Sequence, residues 1–405
     1  MQRRCSPAGR RIAAAVSRRR GSGVAARILY LRLVKIHPWD GQELLSARDA
    51  WNAQDDLSAL CADRPLRSDE IFHPNSFYGF DQVVKRYADL AASYSLKAVI
   101  PHGTVIDPGF VWRAEQDAPV PAVICWEPQR RPVYKAAGGK IVLAGAAPYL
   151  YLTRLLATKA PQRRAGTLAF PSHSTHHVDD EADYEHLAHR LSILPDRLSP
   201  VTVCLYWRDL HLGRDAPFRR RGLQIVSAGH MYDPDFPARL HHLSSRFTYA
   251  TGNEFGSHMF HAVASGCQYF HVGDAVASAP ESLLARREPD GVPWVEPDYP
   301  RIRPIYDEMS AAFGTPTPTE PARQRRLTEF LFGASELQSR AQLRETLLRL
   351  ERIDRWGSAL LGLDKQDQFI APSVLRRQKR RLRSLVRGSP QPSRVSAARG
   401  NVEYP

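Results

Sequence analysis

Short apolar runs alternate with longer amphipathic stretches along the first half of the chain. The apolar runs predict buried strands at residues 28–36, 97–101, 121–126 and 140–143. Apolar positions at helical spacing predict helices at residues 42–60 and 80–95, and residues 149–162 cross between the two halves. Strands that alternate with helices are typical of a parallel sheet whose strands are connected through those helices.

The second half repeats this alternation more clearly. Strands are predicted at residues 167–170, 201–207, 223–228, 247–250 and 268–272, and helices at 179–194, 234–245 and 253–265. Five strands in about 105 residues is the density of a doubly wound sheet. After a Pro-rich break at residues 315–321, leucines at helical spacing predict a helical region at 322–356 that packs back onto the first half.

These elements predict an α/β protein with two Rossmann-like, doubly wound domains. A single hydrophobic core rarely grows beyond about 250–300 residues, and the chain has 405. We expect domains at residues 28–150 and 151–320, a helical region at 321–372, and disordered basic tails at 1–27 and 373–405. The two domains are expected to face each other across a cleft.

The positive charge is confined to the two tails. The formal net charge is +14. Residues 1–27 hold eight arginines and no acid, and residues 373–405 hold nine Lys/Arg and one acid, so residues 28–372 carry −2. Such tails can contact anionic lipid headgroups, which leaves a membrane surface as one partner and plain solvation as the alternative. Nucleic acid is disfavoured as a partner, because no zinc-finger, KH-like or RNP-like motif accompanies the charge.

The cysteines and the apolar runs favour a cytoplasmic protein. None of the five cysteines forms a CxxC pair, and Cys125, Cys204 and Cys267 lie in apolar runs, as buried thiols in a reducing compartment do. The apolar run at residues 12–16 is shorter than the about 7–15 residues of a signal-peptide core. No run approaches the roughly 20 apolar residues of a membrane-spanning helix. We therefore expect a cytoplasmic location, in which the tails can meet the inner face of the cell membrane.

The clearest candidate for ligand binding is the strand–turn–helix at residues 247–266. Its turn ends at Asn253, a favoured N-cap residue, and Gly266 is a natural helix stop. Gly256 and Ser257 in the first turn allow an incoming group to approach the backbone N–H donors. Those donors and the helix dipole favour a phosphate or a carboxylate. The alternative is an ordinary strand–helix junction in which the small residues only permit close packing.

A second candidate is the polar loop that follows the strand at residues 167–170. His173, His176 and His177, followed by Asp179, invite a metal interpretation. The spacing is not that of HExxH, however, and neighbouring residues cannot all face one ion. A loop in which His173 and Ser174 hydrogen-bond a ligand is favoured over a metal site, and incidental loop histidines are the remaining alternative.

The third candidate is His102-Gly103-Thr104, which directly follows the strand at residues 97–101. An imidazole with an ordinary pKa of about 6.5 is the usual general base at neutral pH, and Gly103 lets a second body approach. A single loop histidine is more often structural, but this one would face the anion site of the other domain. Weaker candidates that also follow predicted strands, or begin the ligand-facing helix, are Glu127, Arg130, Arg131, His230 and Glu254.

Several segments of the chain resemble those of a known family. The run TGNEFGSHMFHAVASGCQYFHVGD (251–274) resembles the donor-binding segment of GT-B glycosyltransferase-like proteins of bacterial surface (capsular) polysaccharide biosynthesis. The run KAVIPHGT (97–104) and the segment 121–152 resemble their first domain, and AFPSHSTHH (169–177) resembles the start of their second. His-Gly-Thr is also similar to a stretch in the teichoic-acid glycerophosphotransferases. The phosphate segment of those enzymes, Asp-Tyr-Ser-Ser, is replaced here by residues 253–258.

The resemblance implies a metal-independent glycosyltransferase that moves a sugar from a nucleotide-sugar donor to a carbohydrate acceptor, with no other cofactor. Transfer of a polyol phosphate is the less favoured variant of the same reaction. Carried over, it makes His102 the base or the group that orients the acceptor, and it places His173 and Ser174 at the donor. The residues implied for the donor phosphates are Gly256, Ser257 and His258. Two alternatives stay open: a non-catalytic protein that only binds the nucleotide sugar, and a metal-dependent hydrolase built on His173, His176, His177 and Asp179.

Overall fold

The computed structural model describes residues 37–101, 103, 111–156, 164–174, 182–273 and 299–360. The predicted strand at 28–36 and both basic tails lie outside these residues. Among the helices that are described, none is long and apolar enough to cross a membrane.

The first half contains a parallel sheet of three strands in the order β1-β2-β3. The strands are β1 (Ala98–Val99), β2 (Ala122–Cys125) and β3 (Ile141–Ala144). The helices of this half are α1 (Ala47–Asn52), α2 (Leu57–Leu60), α3 (Phe80–Tyr87), α4 (Arg113–Asp117), α5 (Arg131–Ala137) and α6 (Pro148–Leu156), with 3₁₀ turns at Ala53–Asp55 and His73–Gly79.

The second half contains a parallel sheet of five strands in the order β6-β5-β4-β7-β8. The strands are β4 (Thr167–Phe170), β5 (Val201–Cys204), β6 (Gln224–Val226), β7 (Tyr249–Gly252) and β8 (Gln268–His271). The helices are α7 (Tyr184–Ser192), α8 (Trp207–His211), α9 (Ala216–Arg220), α10 (Phe236–Ser244), α11 (Ser257–Ala264), α12 (Tyr299–Phe313), α13 (Pro321–Leu331) and α14 (Arg340–Leu360). Further 3₁₀ turns lie at Asp196–Leu198 and Ala334–Glu336.

The predicted fold class is confirmed, because both halves are α/β units built on parallel sheets. In the second sheet the strand order reverses between β4 and β7, as in a doubly wound fold. Side chains that follow β4 and β7 therefore share one crevice at the carboxyl edge, which is where ligands gather in open α/β sheets.

The C-terminal helix packs back onto the first half, as the sequence predicts. Tyr87 Oη donates a hydrogen bond to the carbonyl of Gln338 at 3.2 Å, and Tyr94 Oη donates to the carbonyl of Leu347 at 3.4 Å. Leu343, Leu347 and Leu350 are buried in the main core. Helix α14 and the residues just before it thus pack against the first half.

One hydrophobic core runs through both halves. It includes Ile100 and Ile124 of the first sheet region together with Phe170 and Ala250 of the second. The boundary expected between residues 150 and 151 falls inside α6, whose Tyr149 donates to or accepts from Ser265 Oγ of the second half at 2.7 Å. The two halves are therefore joined by packed side chains as well as by the chain itself.

Two predicted helices are shorter than expected, for local reasons. Helix α3 ends at Tyr87 instead of residue 95, because Asp89 takes a left-handed conformation (φ 53°) and the amide of Leu90 bonds back to the carbonyl of Lys85. The helix predicted at 42–60 is divided by a 3₁₀ turn into α1 and α2.

Candidate functional site

The crevice between β4 and β7 is held by one reciprocal pair of hydrogen bonds. The backbone N–H of Ser172 donates to Asn253 Oδ1 at 2.7 Å, and Asn253 Nδ2 donates to Ser172 Oγ at 2.9 Å. Asn253 was expected to cap the following helix, and that expectation is wrong. Its amide instead ties the loop after β4 to the loop after β7.

Helix α11 begins at Ser257, four residues later than predicted, and opens toward this crevice. Its N-cap is Gly256, whose backbone is extended (φ −163°, ψ 176°) and whose position supplies no capping side chain. The first N–H groups of a helix have no partner within it, so an uncapped N-terminus favours an anion. At the other end Gly266 (φ 97°) stops the helix: its N–H bonds to Val263 O and that of Cys267 to Ala262 O.

His258, the second residue of α11, is a neutral side chain in this site. Burial, helped by the nearby His173, His261 and His271, lowers its pKa from 6.5 to about 3. Its buried Nε2 has no hydrogen-bond partner among the residues that the structure describes. His258 therefore acts at physiological pH as a hydrogen-bonding group and supplies no positive charge to a bound anion.

Gly252 leaves the space that His258 uses. A Cβ placed on Gly252 would lie 2.8 Å from His258 Nε2, 2.8 Å from the carbonyl oxygen of Phe170 and 2.9 Å from Tyr269 Oη. Tyr269 is fully buried, and within the described part of the chain its hydroxyl also has no partner. Any side chain larger than that of glycine would push against the floor of the crevice.

The loop after β1 meets the start of α11 across the two halves. Gly103 has a left-handed backbone (φ 83°), and a Cβ placed on it would lie 3.5 Å from Ser257 Oγ. The sequence predicted that this loop faces the anion segment. His102 and Thr104 themselves lie outside the described residues, so the role of His102 remains a prediction.

Glu127 and Arg130 follow β2 but are enclosed in the first half. Arg130 is 1% exposed, and its Nη1 lies 3.2 Å from Glu127 Oε2 and its Nη2 3.5 Å from Glu115 Oε2. Tyr134 Oη donates to the same Glu115 oxygen at 2.6 Å. The structure shows them as a buried ion cluster, with no surface that lines an open cleft.

The two candidate residues in the loop after β4 differ in their exposure to solvent. His173 is exposed, and its ring lies 4.5 Å from that of Tyr206. Ser174 is fully buried, and its hydroxyl accepts a short hydrogen bond from Arg214 Nη1. His176, His177 and Asp179 lie outside the described residues.

Two weaker candidates are also placed. His230 is buried against Trp207, with ring centroids 4.1 Å apart, and its Nδ1 accepts from the N–H of Tyr232 at 3.1 Å. Glu254 is exposed in the turn before α11. Sequence reasoning missed Tyr206, Asp209 and Arg214. The strand predicted at 201–207 enclosed Tyr206, whereas β5 ends at Cys204 and leaves Tyr206 in the following loop.

Where the structure describes the chain, its one cluster of three metal-binding side chains is already filled by an ammonium. Asp69, Glu70 and Asp81 surround Lys85 Nζ, at 2.9, 2.6 and 2.9 Å. The lysine supplies the positive charge that a divalent ion would otherwise provide.

Comparison with known proteins gives a remote likeness only. No protein-family model and no curated protein matches the chain. Among solved structures, a TarM mutant of S. aureus in complex with fondaparinux, alpha-GlcNAc-glycerol and UDP aligns over 63% of this chain and 50% of its own, with 9% identity and a TM-score of 0.32. A GtfA/B complex aligns over 68% and 55%, with 13% identity and a TM-score of 0.30. The chain thus spans about half the length of each, and similarity at this level carries no argument about function.

Proposed function

We propose that this protein is a glycosyltransferase that takes a sugar from a nucleoside-diphosphate donor and passes it to a carbohydrate acceptor. The observation that carries the proposal is the N-terminus of α11, whose N-cap Gly256 supplies no capping side chain. It is placed at the switch point of a doubly wound sheet and met from the other half by Gly103. This arrangement suits a diphosphate, which needs amide donors and a helix dipole more than it needs an apolar pocket.

In the proposed reaction, an acceptor hydroxyl attacks the anomeric carbon of the donor. The bond from that carbon to the diphosphate oxygen breaks, and the diphosphate leaves with the electron pair. His102 takes the proton of the attacking hydroxyl. The departing charge is stabilised by the first amides of α11 and by its dipole, because His258 is neutral. The nucleotide sugar is the co-substrate, and no metal or further cofactor is assigned a step.

We extend the proposal to the synthesis of bacterial surface polysaccharides, as the resemblance of residues 97–104, 169–177 and 251–274 implies. The acceptor would then be a growing glycan, and the basic tails would serve contact with an anionic membrane surface. These finer assignments rest on the sequence alone.

The sharpest test of the leaving-group site is a charge placed at Ser257. An aspartate there should interact favourably with the helix dipole, by about 0.3–1 kcal/mol, so Ser257→Asp should fold at least as well as the wild type. The same charge should repel a diphosphate and weaken binding of UDP, GDP or CDP by about tenfold or more, while Ser257→Ala should change it little. Thermal-shift and calorimetric titrations with these nucleotides measure both effects.

His102→Ala separates catalysis from binding. We expect turnover to fall by about 100-fold or more, with nucleotide affinity retained. Retained turnover would remove His102 from the mechanism. Absence of turnover in the wild type, together with tight nucleotide binding, would instead favour the non-catalytic alternative, and failure of every nucleotide to bind would end the transferase proposal.

A further inference from the structure

Polar and aromatic side chains also gather at the carboxyl ends of β4 and β5, beside the proposed diphosphate site. We call them the β4–β5 cluster: His173, Ser174, Tyr206, Asp209 and Arg214. His173 and Ser174 follow β4, and Tyr206 and Asp209 follow β5, the neighbouring strand. The proposed reaction uses neither Asp209 nor Arg214.

Asp209 is a fully buried carboxylate with one oxygen still available. Its Oδ1 accepts from Arg214 Nη1 at 2.8 Å and from the N–H of Ser174 at 3.3 Å. Its Oδ2 is buried and has no hydrogen-bond partner among the described residues. A buried acceptor left without a donor destabilises the folded protein, so its retention calls for a ligand that donates to it.

Arg214 completes the polar side of the cluster. Its described hydrogen bonds all use Nη1, which reaches Asp209, Ser174 and, at 3.3 Å, Tyr184 Oη. The guanidinium lies over the Tyr184 ring at 5.2 Å, and the side chain is 20% exposed. A guanidinium has five N–H donors in a fixed plane, so this one has donors besides Nη1 to offer at the surface.

The aromatic side of the cluster is accessible. The exposed His173 ring lies 4.5 Å from Tyr206, whose hydroxyl is 3.4 Å from the hydroxyl of Tyr78 in the first half. That contact fixes the platform between the two halves of the protein. Aromatic faces of this kind pack against the apolar C–H groups on the face of a ring.

These groups together select an uncharged ligand with several hydroxyls. The carboxylate of Asp209 disfavours a phosphate, and the guanidinium beside it disfavours a metal ion or an amine. A hydroxyl can donate to Asp209 Oδ2 and accept from Arg214, while the carbon face of the same ring rests on the aromatic platform. Few molecules other than sugars combine these properties.

We propose that the β4–β5 cluster binds a sugar ring, with a hydroxyl donating to Asp209 and another accepting from Arg214. This inference deepens the proposed function, because it takes that ring to belong to a substrate of the transferase. The ring is either the ribose of the nucleotide or a hexose of donor or acceptor, and both present the same vicinal hydroxyls.

The test compares the full-length wild type with Asp209→Asn and His173→Ala. Asp209→Asn keeps an oxygen for Arg214, and His173 is exposed, so neither change removes a buried apolar side chain. The control is Asp215→Asn, the same chemical change in an ion pair with the half-exposed Arg219. Near-UV circular dichroism verifies the fold of each variant. Calorimetry with UDP and GDP, their 2′,3′-dideoxy forms and their glucose derivatives measures affinity, and a glycan array measures binding of free sugars.

We expect Asp209→Asn to weaken at least one hydroxyl-bearing ligand tenfold or more, His173→Ala to weaken it several-fold, and Asp215→Asn to leave it unchanged. If the effect vanishes for the dideoxy nucleotides, the bound ring is ribose; if it persists only with the glucose derivatives or on the array, the ring is a hexose. Array binding that depends on Asp209 without any nucleotide binding would uphold this inference and overturn the proposed function. Wild-type affinity in both folded variants would overturn the inference alone, and a wild type that binds neither class of ligand would overturn both.

Discussion

Replacing Lys85 with methionine tests how the first half is held together. The ammonium of Lys85 is fully buried and contacts three carboxylates, of which Glu70 and Asp81 are also fully buried. It donates as well to the carbonyl of Ala92 at 3.0 Å. Lys85→Met preserves most of the apolar stem and removes only the charge, so the buried carboxylates lose their shared partner.

The expected loss is large for one substitution. Removing one partner of a buried ion cluster costs about 3–5 kcal/mol, because the remaining charges stay desolvated without compensation. Arg67 remains paired with Asp81 and limits the loss, but its side chain is 23% exposed and it lies at the rim of the cluster. We therefore expect the free energy of unfolding to fall by about 3 kcal/mol or more at pH 8.

The loss should depend on pH through Glu70. Burial raises its pKa from 4.5 to about 7, although Lys85 opposes that rise. The folded state then holds this proton more tightly than the unfolded state, so stability falls as pH rises from about 4.5 to about 7. Without Lys85 the pKa of Glu70 rises further, and the variant keeps losing up to about 1.4 kcal/mol per pH unit above pH 7.

Urea unfolding at pH 5.5 and pH 8, followed by far-UV circular dichroism, measures the difference between variant and wild type. The control is Lys135→Met, the same change at an exposed position of α5, which should stay within about 0.5 kcal/mol of wild type. A loss below about 1 kcal/mol at pH 8, or a loss that shrinks as pH rises, would refute the reasoning.

Three further predictions concern the second half. Burial lowers the pKa of His261 from 6.5 to about 3, so stability that is present above pH 6.5 is lost on acidification, by about 2 kcal/mol at pH 5. His261→Phe should remove that loss when the free energy of unfolding is measured as a function of decreasing pH. An unchanged pH dependence would contradict the assignment. Gly252→Ala should cost about 1–3 kcal/mol in urea denaturation, because its Cβ would lie 2.8 Å from the carbonyl oxygen of Phe170, which cannot move away as a side chain can; a neutral effect would mean that the crevice is looser than described. Asn253→Ala should cost about 1–3 kcal/mol by removing the acceptor 2.7 Å from the Ser172 N–H, and Asn253→Asp, which keeps an oxygen there, should cost less in the same assay.

The strands of both sheets were predictable because each is a short apolar run between helical segments. β4 lies at residues 167–170 as expected, β2 is one residue shorter than predicted at each end, and β8 is one residue shorter at its carboxyl end. Helix ends were less predictable. Whether Asn253 caps α11 or bridges to Ser172 depends on a loop 81 residues away, and local sequence does not contain that distance.

The chemical character of the candidate site was predictable only in part. The prediction of an anion-binding helix start at Gly256 and Ser257 rests on local small residues, and the structure begins α11 at Ser257. The neutrality of His258 does not, because it results from burial against groups that the fold brings together. Arg214 and Asp209 were missed for the same reason: their partner Ser174 precedes them by 40 and 35 residues.

The buried charges of the first half explain how a loop on a three-stranded sheet can be held in place. Glu70 in the Lys85 cluster accepts from the N–H of Leu96 and from Asn75 Nδ2, and Asn75 in turn binds the carbonyl of Ala98 and the N–H of Ile100. Asn75 therefore holds the chain as it leaves β1 toward Gly103, which lies beside Ser257 at the start of α11. The Lys85 cluster thus holds the carboxyl end of β1 in place.

The second strand is anchored by the same means. Arg131 donates to the carbonyls of Cys125 and Trp126, at the carboxyl end of β2, while the neighbouring Arg130 is locked between Glu127 and Glu115. In the described part of the first half, buried charged side chains therefore hold the ends of strands in place. The start of α11 instead offers uncharged backbone N–H donors. A site that binds a leaving diphosphate through amides needs those amides fixed beforehand. Under the proposed function the first half holds the acceptor, so loosening either anchor should impair turnover more than it impairs nucleotide binding.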